Sequence, residues 1–208
     1  LVAYAQHDMK RLVAYSSVSH LGLVVVGVAA FTTMSLSGAV LQMVNHGLST
    51  GALFLLVGVL YERRHTRELD AYGGIAAVVP VTTALFLIAT LSSIGLPGLN
   101  GFVGEFTILL GTWLSPHRWW AIAAATGVIL SAIYMLTLVQ RVFWNPFAHE
   151  ENRTLTDVRP SEFIAAATLV VLMVWIGVRP NDVLDRIRPA VESLQKSVAA
   201  KQIAEAGR

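Results

Sequence analysis

The chain has 208 residues, 55% of them hydrophobic and 13% charged, with a net charge of +2. Soluble domains average roughly 25% charged residues, so this composition argues for a polytopic membrane protein and against a soluble enzyme or a nucleic-acid binder. Cysteine is absent, which excludes disulfides, thiolate metal sites and cysteine nucleophiles.

The opening "LVAYAQHDM" reads like the end of an earlier helix followed by a polar turn, with no basic n-region or cleavage site. We therefore expect a piece of a longer protein that lacks N-terminal helices. Five apolar blocks follow, at about 12–31, 36–60, 75–114, 119–143 and 163–178. A bilayer crossing needs roughly 20 residues, so the third block either spans twice or is one long interrupted element. Basic residues favour the single crossing. With five crossings, Lys10, Arg11, Arg63, Arg64, Arg67, Arg141, Arg153 and Arg159 all fall at one end, which the positive-inside rule makes cytoplasmic. The tail, also rich in Lys and Arg, then lies at the opposite end, in tension with a simple charge count. The expected fold is an all-α membrane protein. It has about five transmembrane helices, the third long and broken, in residues 1–180, and an amphipathic extramembrane tail helix in 181–208. The tail's stripe is Ile187, Val191, Leu194 and Val198, spaced as one helix face that rests on the membrane or on a neighbouring subunit.

Within the third block, "SSIGLPGLNGFVGEF" combines Gly95, Pro97, Gly98 and Gly101 with Glu105. Proline removes a backbone donor and glycines weaken a helix, so the helix should break here. Unpaired backbone cannot face lipid, but it can line a wet cavity, as in the broken helices of transporters. Glu105 is the only acidic residue deep inside a block. A carboxylate at mid-membrane costs on the order of 2.5–3.5 kcal/mol or more and usually serves a function. Placed in the first turns of the second half-helix, it is favoured as a carboxylate by the helix dipole and as an acid by burial, as suits a group that loads and releases a proton. His20, with Ser16 and Ser19 on its face, and His46, in a stripe with Gln42, Asn45 and Ser49, read as polar lining that titrates near neutral pH. Each alone is equally well explained as a packed core histidine. The spacing predicts no metal site and no nucleotide- or redox-cofactor motif.

"QHDMKRLVAYSSVSHLG", "NHGLSTGALFLLVGVLYERRHTRELDAYGG" and "LSSIGLPGLNGFVGEF" together resemble the C-terminal part of the chain M family of NADH-quinone oxidoreductase, the antiporter-like membrane subunits of respiratory complex I. The resemblance spans about residues 1–180. It implies a proton-translocating subunit built of inverted helical repeats in the bacterial inner membrane. Proton movement would be coupled to electron transfer from NADH to quinone in other subunits. It implies neighbouring L-type and N-type antiporter-like subunits as partners, together with lipid and protons, and no cofactor or redox chemistry on this chain. It implies that Glu105 is the acid of the broken helix, that His20 and His46 lie on the central hydrophilic axis, and that Lys10 is the basic position before the first helix. In chain L and the related cation/proton antiporters the broken helix carries Lys instead, which "VGEF" lacks. A subunit of a multisubunit sodium/proton antiporter or of a membrane-bound hydrogenase is the alternative. A membrane scaffold without transport is a third reading, against which the intramembrane Glu and His residues argue.

Overall fold

Asp8 starts the first helix: its carboxylate accepts from the Arg11 backbone N–H at 3.0 Å and pairs with Arg67 at 3.4 Å. A computed structural model, which describes residues 2–147 and 149–206, continues this helix as α1, Met9–Ala30. Phe31, in the left-handed region at φ 54°, ends it. Thr32 then begins α2, Thr33–Arg64, through a reciprocal capping box with Ser35. At 1.5 Å per residue, α2 is roughly 48 Å long, well beyond a hydrocarbon core of about 30 Å. It ends on Arg63 and Arg64, whose charges suit both the aqueous boundary and the negative end of the helix dipole.

The third apolar block forms two half-helices, α3 (Pro80–Ser93) and α4 (Asn100–Trp113). α5 (Arg118–Val139) runs on into a π turn at Gln140–Trp144, and α6 (Pro160–Val178) follows after a loop. The tail is α7, Asn181–Ala206. α1, α2, α5 with its π turn, and α6 are each long and apolar enough to cross a membrane.

Long-range hydrogen bonds settle whether α3 and α4 turn back or continue. At the end that holds the start of α1, the Met9 N–H donates to Arg67 O and the Leu69 N–H to His7 O. Arg63 reaches Glu162 at 2.5 Å beside the start of α6, and Arg141 pairs with Asp70. The start of α3 lies at this same basic end, because Asp157 accepts from the Val81 and Thr82 N–H groups at 2.8 and 2.9 Å and from Thr82 Oγ1 at 2.6 Å. The last turn of α4 lies at the far end, where Thr32 Oγ1 donates to Gly111 O at 3.1 Å. The α3–α4 pair therefore makes one crossing, and the bundle crosses five times with the third crossing broken.

α7 lies at the far end. Val191 is buried, Ile187 and Val198 are half-buried and Leu194 is exposed. Gln195 Nε2 donates to Phe31 O at 2.8 Å, and its Oε1 accepts from Thr33 Oγ1 at 2.6 Å. The tail thus docks on the turn between α1 and α2 of its own chain, and its basic residues do lie opposite the main basic cluster. Late charges weigh less than early ones in setting topology.

The apolar core fills the half of the bundle nearer the basic end. Leu53, Leu56, Phe86, Leu138, Phe143 and Met173 are packed there, with the Phe86 and Phe143 rings 5.1 Å apart. Asp157 fastens that end by capping α3 from a distant loop. Burial alone would raise its carboxyl, but the bonds from Thr82, Val81 and Val158 outweigh burial and hold it below the usual carboxylate range. A group lowered on folding stabilises above its unfolded pKa of about 3.9 and loses that contribution as pH falls. We expect Asp157→Ala to cost about 1–2 kcal/mol near neutral pH, the range for a lost cap. Thermal unfolding of the detergent-purified protein should show the gap to wild type closing as pH falls through the carboxylate range. A gap that does not change with pH would rule out this account.

Candidate functional site

Helical hydrogen bonding ends at Ser93 and resumes at Asn100. Between them Leu96 N–H reaches back to Leu91 O at 2.9 Å, and Gly95 and Gly98 take φ of 76° and 95°. Only glycine adopts such angles without strain. Pro97 sits between these two glycines, where no helical hydrogen bond is lost to it. Gly101 is needed for a different reason: a Cβ there would collide with the Ser92 carbonyl, so the two half-helices touch backbone to backbone.

Side chains take up the freed polar groups. Ser92 Oγ donates to Asn100 Oδ1 at 2.5 Å, and Asn100 Nδ2 donates to Asn45 Oδ1 at 3.2 Å. Asn45 Nδ2 donates to the Asn100 carbonyl at 2.7 Å. Asn45 thereby bolts the break to the middle of α2. All three residues are buried, where unmet groups would be costly.

Glu105 lies less than two turns into α4 and is 3% exposed. Its Oε1 is 3.3 Å from His20 Nδ1, and Gln42 Nε2 donates to the same oxygen at 3.5 Å. Gly95 is what lets Glu105 lie against the break, since a Cβ at Gly95 would come within 2.5 Å of Oε2. His20 turns its other nitrogen, Nε2, to Ser93 Oγ at 3.2 Å. A hydroxyl both donates and accepts, so His20 keeps a partner on each nitrogen whether it is neutral or charged. The His46 ring lies 5.5 Å from that of His20 and its Nδ1 is 3.1 Å from Thr50 Oγ1. Glu105, His20 and His46 thus form a row across α4, α1 and α2.

A cavity of about 130 Å³ opens beside the row, lined by Glu105, His20, Ser19, Gly127 and Ser131 among others. It is polar on one side and has room for several water molecules. The arrangement can hold one proton between a carboxylate and an imidazole and exchange it with water. Among the described residues, no three His, Asp or Glu side chains cluster as they would around a metal ion.

Of the residues singled out in the sequence, Glu105, His20 and His46 come together, with His46 half-buried at the edge. Gly95, Pro97, Gly98 and Gly101 lie at the break beside them. Lys10 does not join them. It is exposed in the first turn of α1, ten residues before His20, which is about 15 Å along a helix. Sequence reasoning gave no role to Asn100, Ser92 or Ser93. Their signal was the polar run on either side of the proline, which marks backbone in need of partners.

The chain as a whole is similar to known proteins. The family described as NADH:quinone oxidoreductase/Mrp antiporter, transmembrane, matches residues 1–134. The NADH-quinone oxidoreductase subunit M of Rickettsia felis is 44% identical over 194 residues, covering 93% of this chain and 39% of that protein. A chain of respiratory complex I from Thermus thermophilus with bound NADH superposes with a TM-score of 0.87 at 38% identity, over 94% of this chain and 41% of that one. A chain of the Mrp complex from a Dietzia species gives 0.85 at 19% identity, over 96% and 45%, a likeness of fold alone. The chain thus spans about two fifths of the length of the relatives it matches.

Gly101→Ala tests the geometry of the break. The added methyl cannot clear the Ser92 carbonyl without parting the half-helices, so we expect a loss of about 1–3 kcal/mol, as for an overpacked core. Thermal unfolding of the purified protein should show it. An unchanged midpoint would mean that the half-helices are not in close contact.

Proposed function

Because the chain belongs to the NADH:quinone oxidoreductase/Mrp antiporter transmembrane family, we propose that it is the C-terminal, proton-conducting part of an antiporter-like subunit of NADH-quinone oxidoreductase. The subunit sits in the bacterial inner membrane with its basic end in the cytoplasm. It works beside other antiporter-like membrane subunits, including L-type and N-type neighbours. The chain is part of an oxidoreductase complex, but the electron transfer occurs on other subunits and this chain takes no redox cofactor.

The observation that carries this reading is the Glu105–His20 pair. Two buried titratable side chains meet at 3.3 Å beside a cavity and a broken helix, deep in an apolar bundle. Structural ion pairs that serve stability alone rarely occupy such a place, because desolvation offsets their attraction. A proton entering from the cavity can sit on His20, pass to Glu105 and leave again as the charge around the pair changes. His46 extends the row toward the rest of the hydrophilic axis. Lys10 acts at the aqueous mouth and not at the pair.

A sodium/proton antiporter subunit or a membrane-bound hydrogenase subunit remains the second reading, since the Mrp chain shares the fold. Glu rather than Lys in the broken helix favours the first. Neighbouring genes for quinone-oxidoreductase subunits would select it, and sodium-dependent proton movement would select the second.

Glu105→Gln keeps shape and hydrogen bonding but cannot ionise. We expect it to abolish or strongly reduce proton uptake and coupled NADH oxidation in membrane vesicles. Glu105→Asp should retain part of both. Both variants should assemble, since Gln keeps the volume and the hydrogen-bonding groups of Glu105 and Asp keeps the carboxylate. Normal pumping by assembled Glu105→Gln would make this carboxylate structural and end the proposal.

A further inference from the structure

α6 buries only Ala166, Met173 and Ile176 among its 19 residues, yet its last turn touches the break. Ala166, Met173 and Gly177 lie on one face of the helix, at spacings of seven and four. Ala166 and Met173 pack into the apolar core nearer the basic end. Gly177 meets the break itself. A Cβ there would collide with the Gly98 carbonyl and come within 2.5 Å of Leu99 Cα, which are backbone atoms and cannot turn aside. Gly177 keeps a helical backbone, so it is not the left-handed residue that ends a helix, and close approach is what it supplies. At its other end α6 is held to the start of α3. Asp157, three residues before Pro160, accepts from the Val81 and Thr82 N–H groups, and Glu162 in the first turn of α6 binds Arg63 at the end of α2. At 1.5 Å per residue α3 is roughly 21 Å long and Pro160 to Gly177 spans roughly 26 Å, so the last turn of α6 reaches just past the end of α3.

We infer that α6 is a brace for the broken crossing and that Gly177 is a positioning residue for Glu105, seating α6 on the Gly98–Leu99 backbone and so fixing where α4 begins. The inference rests on the proton-transfer role proposed for Glu105 and adds a residue that serves it from outside the site. Leu99 is the cap of α4 and Glu105 stands six residues further on, so a displaced Leu99 moves the carboxylate with the helix. His20 is not carried along, because it stands on α1. The break is thus held by hydrogen bonds from α2, through Asn45 on Asn100, and by close contact from α6. With a side chain at 177 the backbone of Gly98 and Leu99 must give way, and the 3.3 Å approach of Glu105 to His20 changes with it.

The test uses the complete subunit in its assembled complex, with wild type, Gly177→Ala, Ala166→Gly and Glu105→Gln compared in vesicles. Coupled proton uptake is measured together with the infrared C=O stretch of Glu105, assigned by its absence in Glu105→Gln. Thermal unfolding reports packing alone. Gly177→Ala should shift the band and lower uptake roughly tenfold to a hundredfold, the loss that a misplacement of about 1 Å can bring. Ala166→Gly loosens α6 roughly 16 Å along the helix from the seat. It should lower the unfolding midpoint and leave band and uptake as in wild type. An unshifted band with normal uptake in Gly177→Ala would overturn the brace, even with a lowered midpoint. So would an equal band shift in Ala166→Gly. Normal uptake by Glu105→Gln would sink the Glu105 assignment instead, and the band in Gly177→Ala would still decide the brace. If Gly177→Ala does not assemble, Asp157→Ala takes its place, because it frees the other end of the brace from α3. A shifted Glu105 band then supports the brace and an unshifted one overturns it.

Discussion

A carboxylate buried at the depth of the bilayer is the constraint from which the rest of this structure follows. Glu105 cannot be left alone there, because a lone charge or a lone acid in hydrocarbon is costly. Three features meet that cost together. The broken helix brings the positive end of α4 close to the carboxylate. His20 and Gln42 supply donors to one oxygen, at 3.3 and 3.5 Å. The adjoining cavity has room for water. A continuous helix through Pro97 would remove the first of these, and a glycine-free break would leave no room for Glu105 against Gly95.

α2 is the element on which this arrangement is built. Its polar stripe is spent residue by residue: Gln42 on Glu105, Asn45 on the break, His46 beside His20, and Ser49 back onto the Asn45 carbonyl at 3.0 Å. The opposite requirement, apolar packing, is met nearer the basic end by Leu53 and Leu56 on the same helix. One long helix therefore carries both the polar half and the apolar, stabilising half of the bundle. The loops at the basic end hold the frame through Arg63–Glu162, Arg64–Glu151 and the Asp157 cap, away from the site.

The apolar blocks, the break and the isolated carboxylate could be read from the sequence because each is a departure from local expectation: too much hydrophobicity, a proline and glycines inside it, one acid where none belongs. Five crossings followed only when block length was weighed against the placement of Lys and Arg, since a block of that length fits one crossing or two. The Asp157–Thr82 and Thr32–Gly111 bonds are what decide it physically. What was not legible is lateral. Hydropathy says that His20 and Glu105 are both deep, but not that α1 and α4 bring them to 3.3 Å, because helix packing is set by close contacts such as Gly101 on Ser92. The docking of α7 through Gln195 was hidden for a similar reason: a polar residue beside the expected apolar stripe makes the specific contact. Lys10 stands in the first turn of α1 at the basic end, the place its position before the helix implies, about 15 Å along the helix from His20.

The central claim is that Glu105 gains and loses a proton as the complex turns over. Difference infrared spectroscopy of the assembled complex, comparing its resting and energised states, reports this directly through the carboxylic C=O stretch. The account predicts a band that changes between the two states, shifts in frequency in Glu105→Asp and is missing in Glu105→Gln. A spectrum identical in wild type and Glu105→Gln would contradict it.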